Sequence, residues 1–380
     1  MVQDGPGRVE WLTAGRPAGL GRARRRRLAL ALAVTVVAVA AGTGVLAVRN
    51  PGGTPSSAPV PSPPAAESHT AAPSPTSTAA RRPPVTVSQV GPGLFGVRAG
   101  WELYGRAEAE VVRIEPARGR ITRTRVPPLR STGPVSFVVA GDVALVRPLD
   151  VVPGYAVPDV GPTRTLPEPL TYGVVLPGPE PGEVWAADFE HDRSYLKRVV
   201  VDGFTTVHTV LVHGQIYGAL AADGAGGFVY PMDGSSYAYL AEGSRRVADG
   251  LLVAAGPRTW VTTNCRPHRC RPTVIDRRTA RASELDVEVA NRWMAGTVAP
   301  DGRYAAFSGV GVEPLQVLDL RNGEMWDPQV ADGDTVWSPD GRLLFVAGSD
   351  GRLWLLEPSR RSAAVVGLDL PPLHQLAVEP

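Results

Sequence analysis

The densest group of side chains able to hold charge is Asp188-Phe189-Glu190-His191-Asp192. On an extended strand, alternate residues share a face, so Asp188, Glu190 and Asp192 line up as oxygen donors for a hard cation. A charged hairpin tip between Val184–Ala187 and Tyr195–Val201 accounts for the same residues, and one such cluster supplies too few fixed ligands for a metal site. Cys265 and Cys270 are the only cysteines, and only His268 stands near them. Zinc asks for four ligands, so the pair reads first as a disulfide stiffening a hairpin tip, with free thiols or a metal as alternatives. Asp301 and Asp340 recur in Pro300-Asp301-Gly302 and Pro339-Asp340-Gly341. There the turn explains all three residues: Pro fixes φ, Asp bonds its own backbone and Gly supplies positive φ. Arg266, Arg269, Arg271, Arg277, Arg278 and Arg281 form a candidate patch for an anionic partner, weighed against a solvated loop.

Complete catalytic motifs are missing from the sequence. There is no Gly-x-Ser-x-Gly elbow, no His-Glu-x-x-His and no phosphate-binding Gly-rich loop leading into a helix. Ala221 to Gly227 reads as a turn. Seven tryptophans beyond residue 85 (101, 185, 260, 293, 326, 337 and 354) are expected to pack between layers of strands. No cofactor is implied.

The elements that must position these residues begin with a membrane anchor. Arg24, Arg25, Arg26 and Arg27 precede Leu28–Val48, which carries no charge. A helix of that length spans about 31 Å, which matches the hydrocarbon core. The flanking arginines predict a cytoplasmic tail at 1–27, a single transmembrane helix at 28–48 and an extracytoplasmic location for everything that follows. A cleaved signal peptide ending at Ala38-Val39-Ala40 is the competing reading, but the apolar run continues past it. Residues 49–84 are rich in Pro, Ser, Thr and Ala, with ten prolines in 50–84, and are predicted to be a disordered, extended linker.

Charge follows this division. Residues 1–49 hold eight arginines against Asp4 and Glu10, net +6, and the whole chain carries only +2. The basicity thus belongs to the anchor region, which argues against a nucleic-acid partner.

From residue 85 the pattern is all-β: short apolar runs broken by Gly, Pro and Asp. The Pro-Asp-Gly-Arg units at 300–303 and 339–342 are followed by strands ending in an acidic residue and a turn. Weaker copies put the acidic marker at Glu115, Asp159, Asp202, Glu242, Asp276, Asp319 and Glu357. Seven units of about 40 residues match four-stranded blades, so the expectation for 85–380 is a seven-bladed β-propeller, with six or eight blades also compatible. Val85–Val90 and His374–Val378 are the segments expected to close the ring.

Ala299-Pro300-Asp301-Gly302-Arg303 and Ser338-Pro339-Asp340-Gly341-Arg342, each feeding an apolar strand, resemble the repeats of bacterial TolB-like and WD-repeat-like propellers. The resemblance is specific over 290–361 and periodic over 85–289. It implies the fold and names no partner. Anchor, linker and propeller together point to a non-catalytic binding or scaffold module for a protein or cell-wall polymer. The alternative is an extracytoplasmic enzyme with its site in the propeller channel, such as a quinoprotein-like dehydrogenase, lactonase or lyase.

Overall fold

The apolar runs fold as antiparallel meanders, because Gly, Pro and Asp reverse the chain after every few residues. The computed structural model describes residues 10–12 and 85–380 except 99, 130–133, 150–152, 169, 172, 191–192, 214–219, 233–234, 241–242, 267–268, 290–292 and 310–313. The anchor and linker segments therefore lie outside the described residues. No helix among the described residues is long and apolar enough to cross a membrane.

The described residues form six sheets. Meander 1 joins an inner strand from the end of the chain, Gln375–Glu379, to Glu102–Arg106, Glu110–Glu115 and Arg120–Arg125, with Val85–Gln89 outermost. Meander 2 runs Val135–Ala140, Val143–Pro148, Tyr155–Pro158, Arg164–Thr165. Meander 3 is Val174–Pro177, Glu183–Glu190, Arg193–Val200, Thr205–His213, and meander 4 is Ala221–Ala222, Phe228–Met232, Ser235–Leu240, Gly243–Asp249. The eight-stranded sheet consists of two further meanders joined by one parallel bridge, Ala255 to Thr297. These are meander 5 (Leu251–Ala255, Thr259–Arg266, Arg269–Asp276, Ala282–Glu284) and meander 6 (Trp293–Val298, Tyr304–Gly309, Gln316–Asp319, Glu324–Trp326). Meander 7 is Gly333–Trp337, Leu344–Gly348, Leu353–Glu357, Ser362–Val365. A short strand, Glu10–Leu12, pairs in parallel with Val210–Val212 on the outer strand of meander 3.

Each inner strand neighbours the next meander in turn, and the strand Gln375–Glu379 touches both meander 7 and meander 2. The result is a propeller-like ring of sheets. Seven apolar clusters hold it, and each straddles one junction between consecutive meanders. Trp101 against Phe345, Trp185 against Phe228, and Trp337 against Tyr304 are rings from neighbouring meanders in contact. Each buried large side chain of this kind contributes about 1.5–3 kcal/mol. The two segments expected to close the ring both join meander 1, one as its inner strand and one as its outermost.

The acidic markers fall at equivalent places. Glu115, Asp276, Asp319 and Glu357 end third strands, while Asp159 and Asp202 follow third strands within two residues. Glu242, outside the described residues, follows the third strand of meander 4.

Candidate functional site: grooves between neighbouring meanders

The structure distributes the residues singled out by sequence rather than gathering them. Asp301 Oδ1 accepts the Arg303 N–H at 2.9 Å and Asp340 Oδ1 accepts the Arg342 N–H at 3.1 Å. Gly302 and Gly341 follow with φ of 77° and 72°, so both units are turns from inner to second strand. Cys265 and Cys270 form a disulfide across register partners of meander 5, with Cα atoms 4.0 Å apart. His268 lies outside the described residues. Asp188 lies 3.7 Å from Lys197 Nζ on the adjacent strand, and His191 and Asp192 are outside the described residues.

The arginine run is not one patch. Its strand carries Arg266, Arg269 and Arg271 to one end of meander 5, and Arg277, Arg278 and Arg281 to the other. Arg271 pairs with Glu284 at 3.2 Å, while Arg277 binds Asp223 of meander 4 at 2.6 Å.

Polar groups at the inner strands link one meander to the next. Leu376 donates its N–H to Asp334 Oδ2 at 2.6 Å, Gln375 Nε2 donates to the Val135 carbonyl at 2.6 Å, and Ser136 Oγ accepts from the Val175 N–H at 3.3 Å. Thr297 and Thr335 hydroxyls lie 3.3 Å apart, and Ser236 Oγ accepts from the Leu252 N–H at 3.0 Å. The Asp334, Gln375, Ser136 and Ser236 side chains thereby satisfy backbone groups at strand edges. Burial raises the Asp334 carboxyl to about 6, even though two backbone N–H groups and the Arg106 charge favour its ionised form.

At the end of the ring where first strands turn into second and third into fourth, side chains bridge the meanders directly. Asp223 is 1% exposed and carries one bond to each of the Ala225 and Gly227 N–H groups, at 2.7 and 2.8 Å, besides Arg277. Trp260 donates its indole N–H to the Asp223 carbonyl at 3.2 Å while its ring lies under the Arg277 guanidinium at 4.6 Å. From the other side, Trp185 donates to the Gly226 carbonyl at 2.8 Å. Gly226 has φ of 82°, and a Cβ there would lie 2.2 Å from Pro179 Cα. Of the Ala221–Gly227 run, Ala221–Ala222 is a strand and Asp223–Gly227 is the turn that its composition suggests, and that turn is also the piece that meanders 3 and 5 grip from opposite sides.

The junction of meanders 1 and 2 is built from more carboxylates than it can neutralise. Arg113 makes two 2.5 Å bonds to Glu102 and one of 2.7 Å to Asp159. The Tyr104 hydroxyl stands 2.8 Å from Glu102 and 3.0 Å from Asp159, with one proton to donate between them. Burial outweighs Arg113 and raises the Asp159 carboxyl; Glu102, although also penalised by burial, is held below the usual range by Arg113 and Tyr104. Glu379, the register partner of Glu102, is pushed up to about 7 by burial and by the charges of Glu102 and Asp159.

Three grooves lined by described residues open on this same end. One, of about 160 Å³ between meanders 6 and 7, is edged by the pairs Arg303–Asp319 and Arg361–Glu324. A second, of about 460 Å³, lies where meanders 3, 4 and 5 meet, beside the Asp223–Arg277 pair, with Trp185, His208 and Tyr239 in its wall. There His208 Nε2 lies 2.9 Å from the Tyr239 hydroxyl. The third, of about 570 Å³ between meanders 2 and 3, is lined by Val143, Pro158, Val160, Pro162, Pro181 and Val200, with Asp142, Asp202 and Arg164 at its edge.

Sequence reading missed Asp142, Val160, Arg113, Asp223 and Glu379. Asp223 and Arg113 lie in short segments whose partners are 54 and 46 positions away, and local pattern does not reveal such pairs. Asp142 stands in the Gly141-Asp142 turn, whose composition is a usable signal for a turn but not for a groove edge.

No protein-family model matches this sequence, and no curated protein matches it. Among solved structures the chain is similar to a protein from Lactobacillus plantarum at 12% identity, covering 74% of this chain and 99% of that one with a TM-score of 0.48. It is similar to TolB from Acinetobacter baumannii at 14% identity, covering 78% and 82% with a TM-score of 0.41. Apo AztD from Citrobacter koseri is similar at 11% identity, covering 73% and 97% with a TM-score of 0.45. The chain resembles TolB and other β-propeller proteins in its strand arrangement. Identities this low concern fold alone, and nothing about activity or partner is carried over.

Proposed function

We propose that this chain is a seven-bladed β-propeller, anchored through residues 28–48 and held outside the cytoplasmic membrane on its proline-rich linker, that acts as a binding or scaffold module for a protein or cell-wall polymer. The observation that carries the reading is the placement of polar groups and recesses. The inner-strand side chains join meander to meander, whereas three recesses open between meanders on one end of the ring. Recesses rimmed by charge suit recognition of a partner. Six four-stranded meanders and the five-stranded meander 1, with seven junctional cores, support the blade number.

A cytoplasmic residue 11 is incompatible with the pairing of Glu10–Leu12 to Val210–Val212, so insertion of 28–48 requires that pairing to be released. Membrane-impermeant maleimide on intact cells decides between them using Trp11→Cys and, in the linker, Ser68→Cys. Labelling at 68 without labelling at 11 is expected. Labelling at both positions would sink the cytoplasmic tail, and labelling at neither would sink the outside location. For function, photo-crosslinkers placed in the three grooves of the cell-embedded protein should capture one defined partner. Capture at none of them would remove the binding reading.

A further inference from the structure

The three grooves differ in what their edges are doing. In the groove of meanders 6 and 7, Arg303 and Arg361 are paired with Asp319 and Glu324. Beside the groove of meanders 3 to 5, Arg277 is paired with Asp223 and Arg198 lies 3.6 Å from Glu183. In the groove of meanders 2 and 3, Asp142 and Asp202 are exposed, and neither has an ion-pair partner among the described residues. Arg164 does not serve them, for its guanidinium lies over the Phe204 ring at 5.2 Å. Val160, which lines the same groove, is 88% exposed, the highest value among the large exposed apolar side chains of the described residues. Its neighbours Pro158, Pro162 and Pro181 have fixed φ and no N–H to satisfy. Such a wall is rigid before a ligand arrives and loses little conformational freedom on binding.

We propose that the groove between meanders 2 and 3 docks an extended peptide segment of a partner protein, one that carries an arginine or lysine beside apolar residues. This deepens the binding-module reading and rests on it. The apolar part covers Val160 and the proline wall, and the cation sits between Asp142 and Asp202. Charge complementarity favours the cationic segment over other occupants. The groove adjoins the carboxylate-rich junction of meanders 1 and 2, where the Asp159 N–H donates to the Asp142 carbonyl at 2.8 Å, Glu102 and Asp159 share Arg113, and Glu379 is the register partner of Glu102. An incoming cation would relieve that excess, whereas an acidic segment would add to it.

The test uses the full-length chain in detergent micelles and three fluorescein-labelled hexapeptide pools of apolar residues around one fixed Arg, Gln or Glu. The Arg pool should bind saturably, with the Gln pool weaker by about tenfold and the Glu pool weaker still. Asp142→Asn with Asp202→Asn should weaken the Arg pool by about tenfold and flatten its salt dependence, because both changes remove rim charge and leave the core untouched. Val160→Ser should weaken the Arg and Gln pools alike. Equal binding of all three pools, no saturable binding of the Arg pool, or an unchanged affinity in the double variant overturns the proposal. So does tighter binding of a wall muropeptide than of the Arg pool. In-cell crosslinking from position 326, in the groove of meanders 6 and 7, separates the two levels. A partner captured there while this groove binds no peptide overturns the groove and leaves the binding module standing. No partner at any of the three grooves overturns both.

Discussion

The junction of meanders 4 and 5 and the junction of meanders 1 and 2 solve the same problem in opposite ways. Each must carry ionised groups across a seam between sheets. At the first, the single carboxylate of Asp223 meets two backbone N–H groups and one guanidinium, and that guanidinium in turn has the Trp260 face and the Asp223 carbonyl. Donors and acceptors are matched. At the second, Glu102, Glu115, Asp159 and Glu379 converge on a seam where Arg113 is the bridging cation, and Arg118 and Arg120 serve Glu115. The matched junction holds its charge without strain. The unmatched one keeps a carboxyl, Glu379, at the edge of protonation near neutral pH. Its excess negative charge lies beside the one groove whose edge carboxylates have no ion-pair partner. Electrostatic mismatch of this kind is a common mark of a surface that expects a partner.

The largest effect should come from breaking the matched junction. Asp223→Ala leaves the largely buried Arg277 guanidinium without its carboxylate and the Ala225 and Gly227 N–H groups without their acceptor, so a loss of about 3–5 kcal/mol is expected in urea unfolding. A loss below about 1 kcal/mol would mean that the pair is not structurally important, and the contrast between junctions would collapse.

A smaller loss, and one that depends on pH, should follow Arg113→Met. At pH 7 the variant faces Glu102 and Asp159 with no bridging charge, which is expected to cost about 2–3 kcal/mol. Near pH 4, where the carboxyls begin to take up protons, the difference should shrink. Equal losses at both pH values would show that Arg113 acts by packing rather than by charge.

The smallest effect has the opposite sign. Glu379 binds its proton more tightly in the folded protein than in the unfolded chain, so its contribution is unpenalised below the unfolded value of 4.5 and is lost as pH rises to about 7. Because the side chain is partly solvated, the penalty above that range is on the order of 1 kcal/mol. Glu379→Gln should therefore raise the melting temperature at pH 8 and leave it unchanged at pH 4. A variant less stable at pH 8 would show that the carboxylate is favourably paired and that the junction is not carboxylate-rich in effect.

Much of the strand order was legible because its signals are local. A Pro-Asp-Gly turn sets three backbone conformations by itself, which is why Gly302 and Gly341 sit at positive φ. The acidic markers among the described residues also lie at or within two residues of the ends of third strands, even Asp159, whose sequence repeat is the faintest. The arginine run 266–281 shows the limit of such reading. Six arginines within sixteen positions look like one patch, yet an eight-residue strand places three at each end of meander 5.

By itself, the amino-acid sequence determined that the chain after residue 85 is all-β, that its strands come in repeats of about 40 residues, and where many of its turns lie. These follow from short-range sterics and from alternation of apolar and polar side chains along an extended backbone. Only the tertiary structure decided which carboxylate meets which guanidinium, that Gln375–Glu379 serves as the inner strand of meander 1, and that Asp142, Val160 and Asp202 share one groove. Several of these pairings join residues far apart in sequence, from 46 positions for Arg113 and Asp159 to 277 for Glu102 and Glu379, and they arise when rigid sheets pack side by side around a ring. Their strength depends on burial and on the balance of nearby charge, which exist only once the ring is closed.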